Sequence, residues 1–234
     1  MKSDVLPSCV QAVWVYGSVA RNTSTLSSDV DILLLLDDDD RCDTHDLSGC
    51  EMQLPSLPVE VATYSIAVMR GLIASGSLFA WHLANEGRPI FERDRALSVE
   101  LQNLVPYQGF KQDFETLVQL FSDALASLSG GSTLHFDAGI LATVCRNTAL
   151  LLSATRGRPE FSPWSPVSHR DDCLPRFPLT DAEYGLIRAC KLAGERGLNL
   201  PSVRADRILL IGAKLEPWLT STRAYFAERC ANVG

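Results

Sequence analysis

Residues 29–36, DVDILLLL, hold the tightest constraint in the chain: two aspartates one residue apart, then an unbroken apolar run. Such a run suits a strand buried on both faces, because a strand with one wet face alternates apolar and polar residues. Side chains on a strand alternate between faces, so Asp29 and Asp31 point one way and Val30 and Ile32 the other. Two carboxylates held side by side at the mouth of a buried strand repel each other. Either a cation sits between them or water covers them.

The neighbouring segments favour a cation. AVWVYGS (12–18) reads as a strand closed by a glycine turn, and Ser18 is expected to cap a brief helix in VARNTS. LPVEVATYS (57–65) reads as a third strand, with Pro58 at its start and Glu60 between Val59 and Val61. If that strand pairs beside 29–36, Glu60 completes an acidic cluster on the face of Asp29 and Asp31. Gly17 lets backbone come close to a ligand, and the Ser18 hydroxyl with the helix N-terminus behind it forms an anion site. Hard carboxylate oxygens suit magnesium. A phosphate cradle next to a metal cradle is what nucleotidyl transfer needs, since metal neutralises the triphosphate and holds the acceptor oxygen in line. The plainer alternative makes Asp29 a strand cap, Asp31 a solvated acid and Gly17-Ser18 an ordinary turn. For a lone D-x-D that alternative would win; here G-S, ten residues, D-x-D and a further acid in a third strand occur together.

GSVARNTSTLSSDVD resembles the G-S-x10-D-x-D signature of the minimal nucleotidyltransferases, in the DNA polymerase β-like superfamily. Ala20-Arg21 and the Ser28 before Asp29 belong to the match, which covers roughly residues 10–95. The resemblance implies a nucleotidyltransferase sheet, two metal-binding aspartates, a third carboxylate, two magnesium ions and NTP-dependent transfer to an acceptor. By matching position, Gly17 and Ser18 take the phosphate contact and Asp29 and Asp31 the metal. Glu60 takes the third-acid role, where aspartate is the usual residue. Arg21 reaches either the triphosphate or a surface ion-pair partner.

Downstream, apolar residues at Ile66, Met69, Ile73, Leu78 and Trp81 predict one or two helices, stopped by Gly87 and followed by a short strand in PIFER. After Pro106 the texture changes. Phe110, Phe114, Leu117, Phe121, Leu125 and Leu128 share one helical face. FDAGILATVCRNTALLLSATRG is a second helix; Thr180 and Glu183 have capping-box spacing at the start of a third, which ends at Gly197; and a fourth contains Pro217 and is expected to kink there. The proline-rich RGRPEFSPWSPVSH lies between the second and third. The fold class is therefore an α/β (α+β) nucleotidyltransferase sheet domain over residues 1–105, followed by an all-α helical bundle over 106–234, with a cleft between them. That arrangement is similar to aminoglycoside nucleotidyltransferases, and the bundle also resembles the helical HEPN domains that partner minimal nucleotidyltransferases in toxin–antitoxin systems. Arg146 is followed by NTALLL, without the histidine of the ribonuclease motif such domains carry.

Composition narrows the partners. Of 234 residues, 46% are hydrophobic, enough for a sizeable core, yet no run nears the roughly 18–20 apolar residues of a bilayer span. A charge inside MKSDVLPSCV speaks against a secretory signal, so a cytoplasmic protein is expected. The seven cysteines form no C-x-x-C pair and are expected to be idle thiols. Residues 1–105 carry 7 Lys+Arg against 15 Asp+Glu, a net −8, while residues 106–234 carry 14 against 13, a net +1. Without a broad basic surface, nucleic acid is not an expected partner. Several further residues have plain readings. Asp37–Asp40 either extends the acidic mouth or solvates a loop. His45 in DTHD is expected in an exposed loop, and His82 as a helix histidine with a satisfied ring. Arg146 is expected to find an inward partner, and Trp164 to pack on the bundle rather than cover the site.

The expected protein is thus a magnesium-dependent nucleotidyltransferase with Asp29, Asp31 and Glu60 as catalytic and metal residues. Gly17, Ser18, Arg21 and Ser28 are its nucleotide contacts. It moves a nucleoside monophosphate, AMP from ATP, to a hydroxyl of an aminoglycoside-like small molecule or of a protein, releasing pyrophosphate. The alternative is a non-catalytic nucleotide-binding or partner-binding module of a toxin–antitoxin system. The acceptor and the oligomeric state stay open.

Overall fold

The structure, a computed structural model, describes residues 6–24, 28–38, 58–128, 133–168 and 171–231. By contacts the chain divides into two compact units, Met1–Tyr107 and Gln108–Gly234.

The first unit is a four-stranded mixed sheet with helices. Its strands are β1 (Val10–Tyr16), β2 (Val30–Leu36), β3 (Val59–Ser65) and β4 (Arg88–Glu92), in the spatial order β3-β2-β1-β4. β1 pairs antiparallel with β2 and with β4, whereas β2 and β3 run parallel. Helices α1 (Gly17–Ala20), α2 (Ile66–Ala74), α3 (Leu78–Glu86) and the short α4 (Ala96–Glu100) complete it, the last passing into a 3-10 turn at Leu101–Asn103.

β2 is buried on both faces, as its unbroken apolar run requires. On one face Leu33 and Leu35 join Ala12 and Trp14 of β1, Met69 of α2, and Ala80 and Leu83 of α3. On the other, Val30 and Ile32 join Val10 and Val13. Gly87 ends α3 as expected, but by proximity rather than by a left-handed turn. Its backbone is extended (φ −74°, ψ 148°), and a Cβ there would stand 2.5 Å from the Leu83 carbonyl oxygen and 2.9 Å from the Trp14 ring.

Two local expectations are corrected. Ser18 does not cap α1: Tyr16 holds the N-cap position without a side-chain bond, and Ser18 is the second helical residue. The helix also stops early, because Asn22 adopts φ 58° and the Thr23 amide donates to the Ser18 carbonyl at 2.9 Å. Asparagine tolerates that left-handed conformation better than most residues. Cys9 is disulfide-bonded rather than idle, while Cys145, Cys173 and Cys190 are free thiols.

In the second unit all regular structure among the described residues is helical: α5 (Phe110–Leu128), α6 (Leu134–Ala154), α7 (Ser165–Ser168), α8 (Asp181–Arg196) and α9 (Ala205–Ala231). α5 turns the predicted stripe inward, with Phe114, Leu117, Phe121 and Leu128 buried. α6 is the central helix, packed by α5, α8 and α9 and buried around most of its circumference. Thr180 and Glu183 make the reciprocal capping box of α8, and Gly197 closes that helix at φ 62°. α9 continues through Pro217 without interruption. Arg146 donates to Asn147 Oδ1 and to the Phe161 carbonyl, so its inward partner includes main chain. Trp164 packs edge-on to Tyr184 at 5.6 Å, under the Arg188 guanidinium at 4.7 Å. Among the described residues no single helix is long and apolar enough to cross a membrane.

The sheet makes a quantitative expectation. Leu33 is fully buried (0% exposed) and Val61 on the outer strand is 55% exposed. Leu33→Ala should cost about 3 kcal/mol of unfolding free energy through lost burial and a residual cavity, measured by urea denaturation. Val61→Ala should cost less than about 0.5 kcal/mol in the same experiment.

Candidate functional site

The site forms where β1 ends and β2 and β3 begin. β1 leads through Tyr16 into Gly17, whose φ is +71°. The antiparallel register sets Tyr16 opposite Asp31, and the parallel register sets Asp31 opposite Glu60. Tyr16, Asp31 and Glu60 are therefore one row across three strands. Asp29 stands two residues before Asp31 and faces the same side. That side is the one on which Trp14 and Leu33 meet α3.

Gly17 is required twice over. Its positive φ disfavours any side chain, and a Cβ would stand 2.1 Å from Asp31 Oδ2. The turn thus brings bare backbone directly under the carboxylate. Ser28 is buried, Ser18 and Asp29 are half-buried, and Glu60 is exposed.

The electrostatics follow from this packing. Burial pushes the Asp31 carboxyl above its ordinary value of 3.8, and the charges of Asp29 and Glu60 push it further; His82 and Arg21 oppose them. Tyr16 is pushed up to about 12 by burial, then by Asp31, Tyr64 and Glu60. The three acids and Tyr16 act on one another, as groups gathered at one place do.

Two residues of α3 that sequence patterning did not assign to the site, His82 and Glu86, form its wall. Glu86, the last residue of α3, accepts a charge-assisted bond from Arg21 Nη1, and the same Oε2 lies 2.8 Å from His82 Nε2. The His82 ring stands edge-on to Tyr16, with centroids 5.4 Å apart. Arg21 therefore has the ion pair that was one of its two readings, with a partner on α3. His82 is satisfied on its helix, as expected. The i,i+4 spacing of His82 and Glu86 was the available signal, but nothing local tied it to Gly17 and Asp31.

The described part of the acidic run after β2, Asp37 and Asp38, does not extend the mouth. Asp37 and Asp38 follow the opposite end of β2 from Asp29. Asp38 Oδ1 accepts the Ala67 amide at 2.8 Å, and that bond, with one from Ser65, holds its carboxyl below the ordinary range. Asp39, Asp40 and His45 lie outside the described residues.

The donor set can be tested for a cation. Among the described residues no group of three or more His, Cys, Asp or Glu side chains is positioned as a metal cage. The three acids share a face without closing into one. Magnesium seldom uses such a cage; it usually takes one or two carboxylates and completes its shell with substrate phosphates and water. Asp29 and Asp31 beside an open glycine turn fit that mode, and their mutual repulsion is what a cation would relieve.

The segment of residues 6–96 matches the family described as polymerase beta, nucleotidyltransferase. It contains all four strands together with Gly17, Ser18, Arg21, Ser28, Asp29, Asp31 and Glu60. Among solved structures, a nucleotidyltransferase-like protein from Exiguobacterium sibiricum 255-15 is 21% identical with a TM-score of 0.42, covering 96% of this chain and 74% of that one. A toxin–antitoxin solved with AMP-PNP is 17% identical with a TM-score of 0.27, covering 42% of this chain and 73% of that one. No curated protein matches the chain.

Two outcomes check the packing. Gly17→Ala should destabilise by about 2 kcal/mol or more, from left-handed strain and collision with Asp31, and trimming Asp31 to alanine in the same chain should recover part of the loss. Asp31 titrates higher folded than unfolded, so its contribution is fully present below 3.8 and is lost as pH rises through the raised folded value. Asp31→Asn should therefore raise the melting temperature of the metal-free protein at pH 7. The advantage should shrink as pH falls toward 3.8.

Proposed function

We propose that the nucleotidyltransferase domain of residues 6–96 transfers a nucleoside monophosphate, AMP from ATP, to a hydroxyl acceptor and releases pyrophosphate. The observation that carries this reading is the row across the strands: Asp31 opposite Glu60, with the Gly17 backbone directly beneath Asp31.

Each residue has a task in that reaction. The Gly17-Ser18 backbone and the Ser18 hydroxyl receive the triphosphate, because a glycine turn admits phosphate oxygens to main-chain amides. Ser28 sits buried immediately before Asp29 and supports the mouth of β2. Arg21 offers a planar fork of donors to phosphate oxygens. Asp29 and Asp31, with Glu60 beside them, would hold magnesium, two ions, which when bound would supply charge neutralisation to the phosphates. The acceptor oxygen attacks the α-phosphorus, the bond to the β-phosphate oxygen breaks, and pyrophosphate leaves with that electron pair. Glu60, exposed on the outer strand, takes the proton of the acceptor hydroxyl.

The acceptor is a hydroxyl compound or protein drawn to an acidic surface. Residues 1–105 carry a net −8, which attracts a cationic small molecule of the aminoglycoside kind, and a basic segment of a protein equally.

Incubation with radiolabelled NTPs and magnesium, in the presence of cell lysate and an aminoglycoside panel, should label an acceptor or release pyrophosphate. Asp29→Asn and Asp31→Asn should each cut the rate at least about a hundredfold while the fold persists, as judged by circular dichroism. Equal transfer by both variants and the unaltered chain would remove the metal role. Magnesium-dependent ATP binding with nothing labelled would instead favour a non-catalytic nucleotide-binding or partner-binding module of a toxin–antitoxin system.

A further inference from the structure

Glu86 occupies an unfavourable position. It ends α3, where the helix macrodipole disfavours an anion, and its side chain is only 13% exposed. Burial alone would raise its carboxyl, but the hydrogen bonds and charges of His82 and Arg21 outweigh burial and hold it below the ordinary range. A half-buried anion at that end of a helix depends on its partners, since removing one would leave its charge uncompensated.

Those partners converge on the acidic row. Arg21 follows the Gly17-Ser18 turn directly, and both Arg21 and His82 act electrostatically on Asp31. The Glu86 bond uses Arg21 Nη1, and Nε and Nη2 are the further donors that a guanidinium carries. His82 in turn is gripped between Glu86 at 2.8 Å and the Tyr16 ring edge, which limits where the Glu86 carboxylate can stand. An arginine tethered at one nitrogen loses less side-chain freedom when its remaining donors meet phosphate.

We propose that Glu86, itself held by His82, is the positioning residue that presents the Arg21 guanidinium to the nucleotide phosphates. The proposal rests on the reading of Arg21 as a phosphate contact. An ion pair that merely joined α1 to α3 would affect folding and leave nucleotide affinity alone. A positioning residue acts on affinity, and acts only through Arg21.

A double-mutant cycle on ATP binding in magnesium, read by isothermal titration with melting temperatures recorded alongside, separates the two. Arg21→Ala and Glu86→Ala should each weaken binding about tenfold, and the Arg21→Ala/Glu86→Ala double variant should be no weaker than Arg21→Ala alone. Glu86→Gln keeps an oxygen acceptor for Arg21 and should fall between the unaltered chain and Glu86→Ala, which also serves if the alanine variant fails to fold. Where transfer is measured, the loss should appear in KM rather than kcat. Binding by both Glu86 variants within about twofold of the unaltered chain, while Arg21→Ala loses affinity, overturns the proposal and leaves the nucleotidyltransferase reading intact. Additive losses in the double variant overturn it likewise. Absence of ATP binding by the unaltered chain overturns both.

Discussion

The contact between Gly17 and the Asp31 carboxylate is the constraint on which the rest of the site depends. β2 is apolar on both faces, so a one-residue slip would exchange leucines and valines between two cores with little penalty. What distinguishes the true register is its polar end. Asp31 fits only over a residue without a Cβ, and the pairing of Tyr16 with Asp31 supplies that residue next in the chain. Once β1 and β2 are locked there, the parallel partner β3 brings Glu60 to the same row.

The energetic consequence is a concentration of negative charge that the fold does not neutralise completely. Arg21 and His82 lower the Asp31 carboxyl, yet burial and two acidic neighbours leave it raised. Such an arrangement costs stability in the absence of a cation, which is a common property of sites arranged for ligands rather than for folding. The wall built by α3 limits that cost with an arginine already engaged, so the positive charge beside the acids is held rather than free.

The helical unit obeys a simpler rule. Its stability comes from α6, whose apolar residues are buried on nearly every side, and from neighbours whose stripes face it. Small residues permit the closest approach: a Cβ on Gly139 would stand 3.1 Å from the Lys191 Cα of α8. Caps set by local chemistry, such as Thr180 with Glu183, behave in the structure as the spacing predicts, because their partners lie three residues away.

That difference of range separates what was legible from what was not. The strands, the buried run of β2, the α8 capping box, the change to helices after Pro106 and the gathering of Asp29 and Asp31 on one face follow from periodicity and spacing, which act within a few residues. Ser18 as a cap failed because the chain turns one residue sooner, at Gly17, where the carboxylate of Asp31 dictates the backbone. For Asp38 the sequence left mouth and solvated loop both open, and the length of β2 carries it to the far end, where it accepts the Ala67 amide. The pairing of Cys9 and the Glu86 bridge to Arg21, spanning 65 residues, were invisible for the same reason. By itself the sequence determined which residues alternate, which turns need glycine and where carboxylates cluster. Only the tertiary structure decided which strand lies beside which, in what register, and so which distant side chains balance those carboxylates, because that choice is made by packing two cores at once.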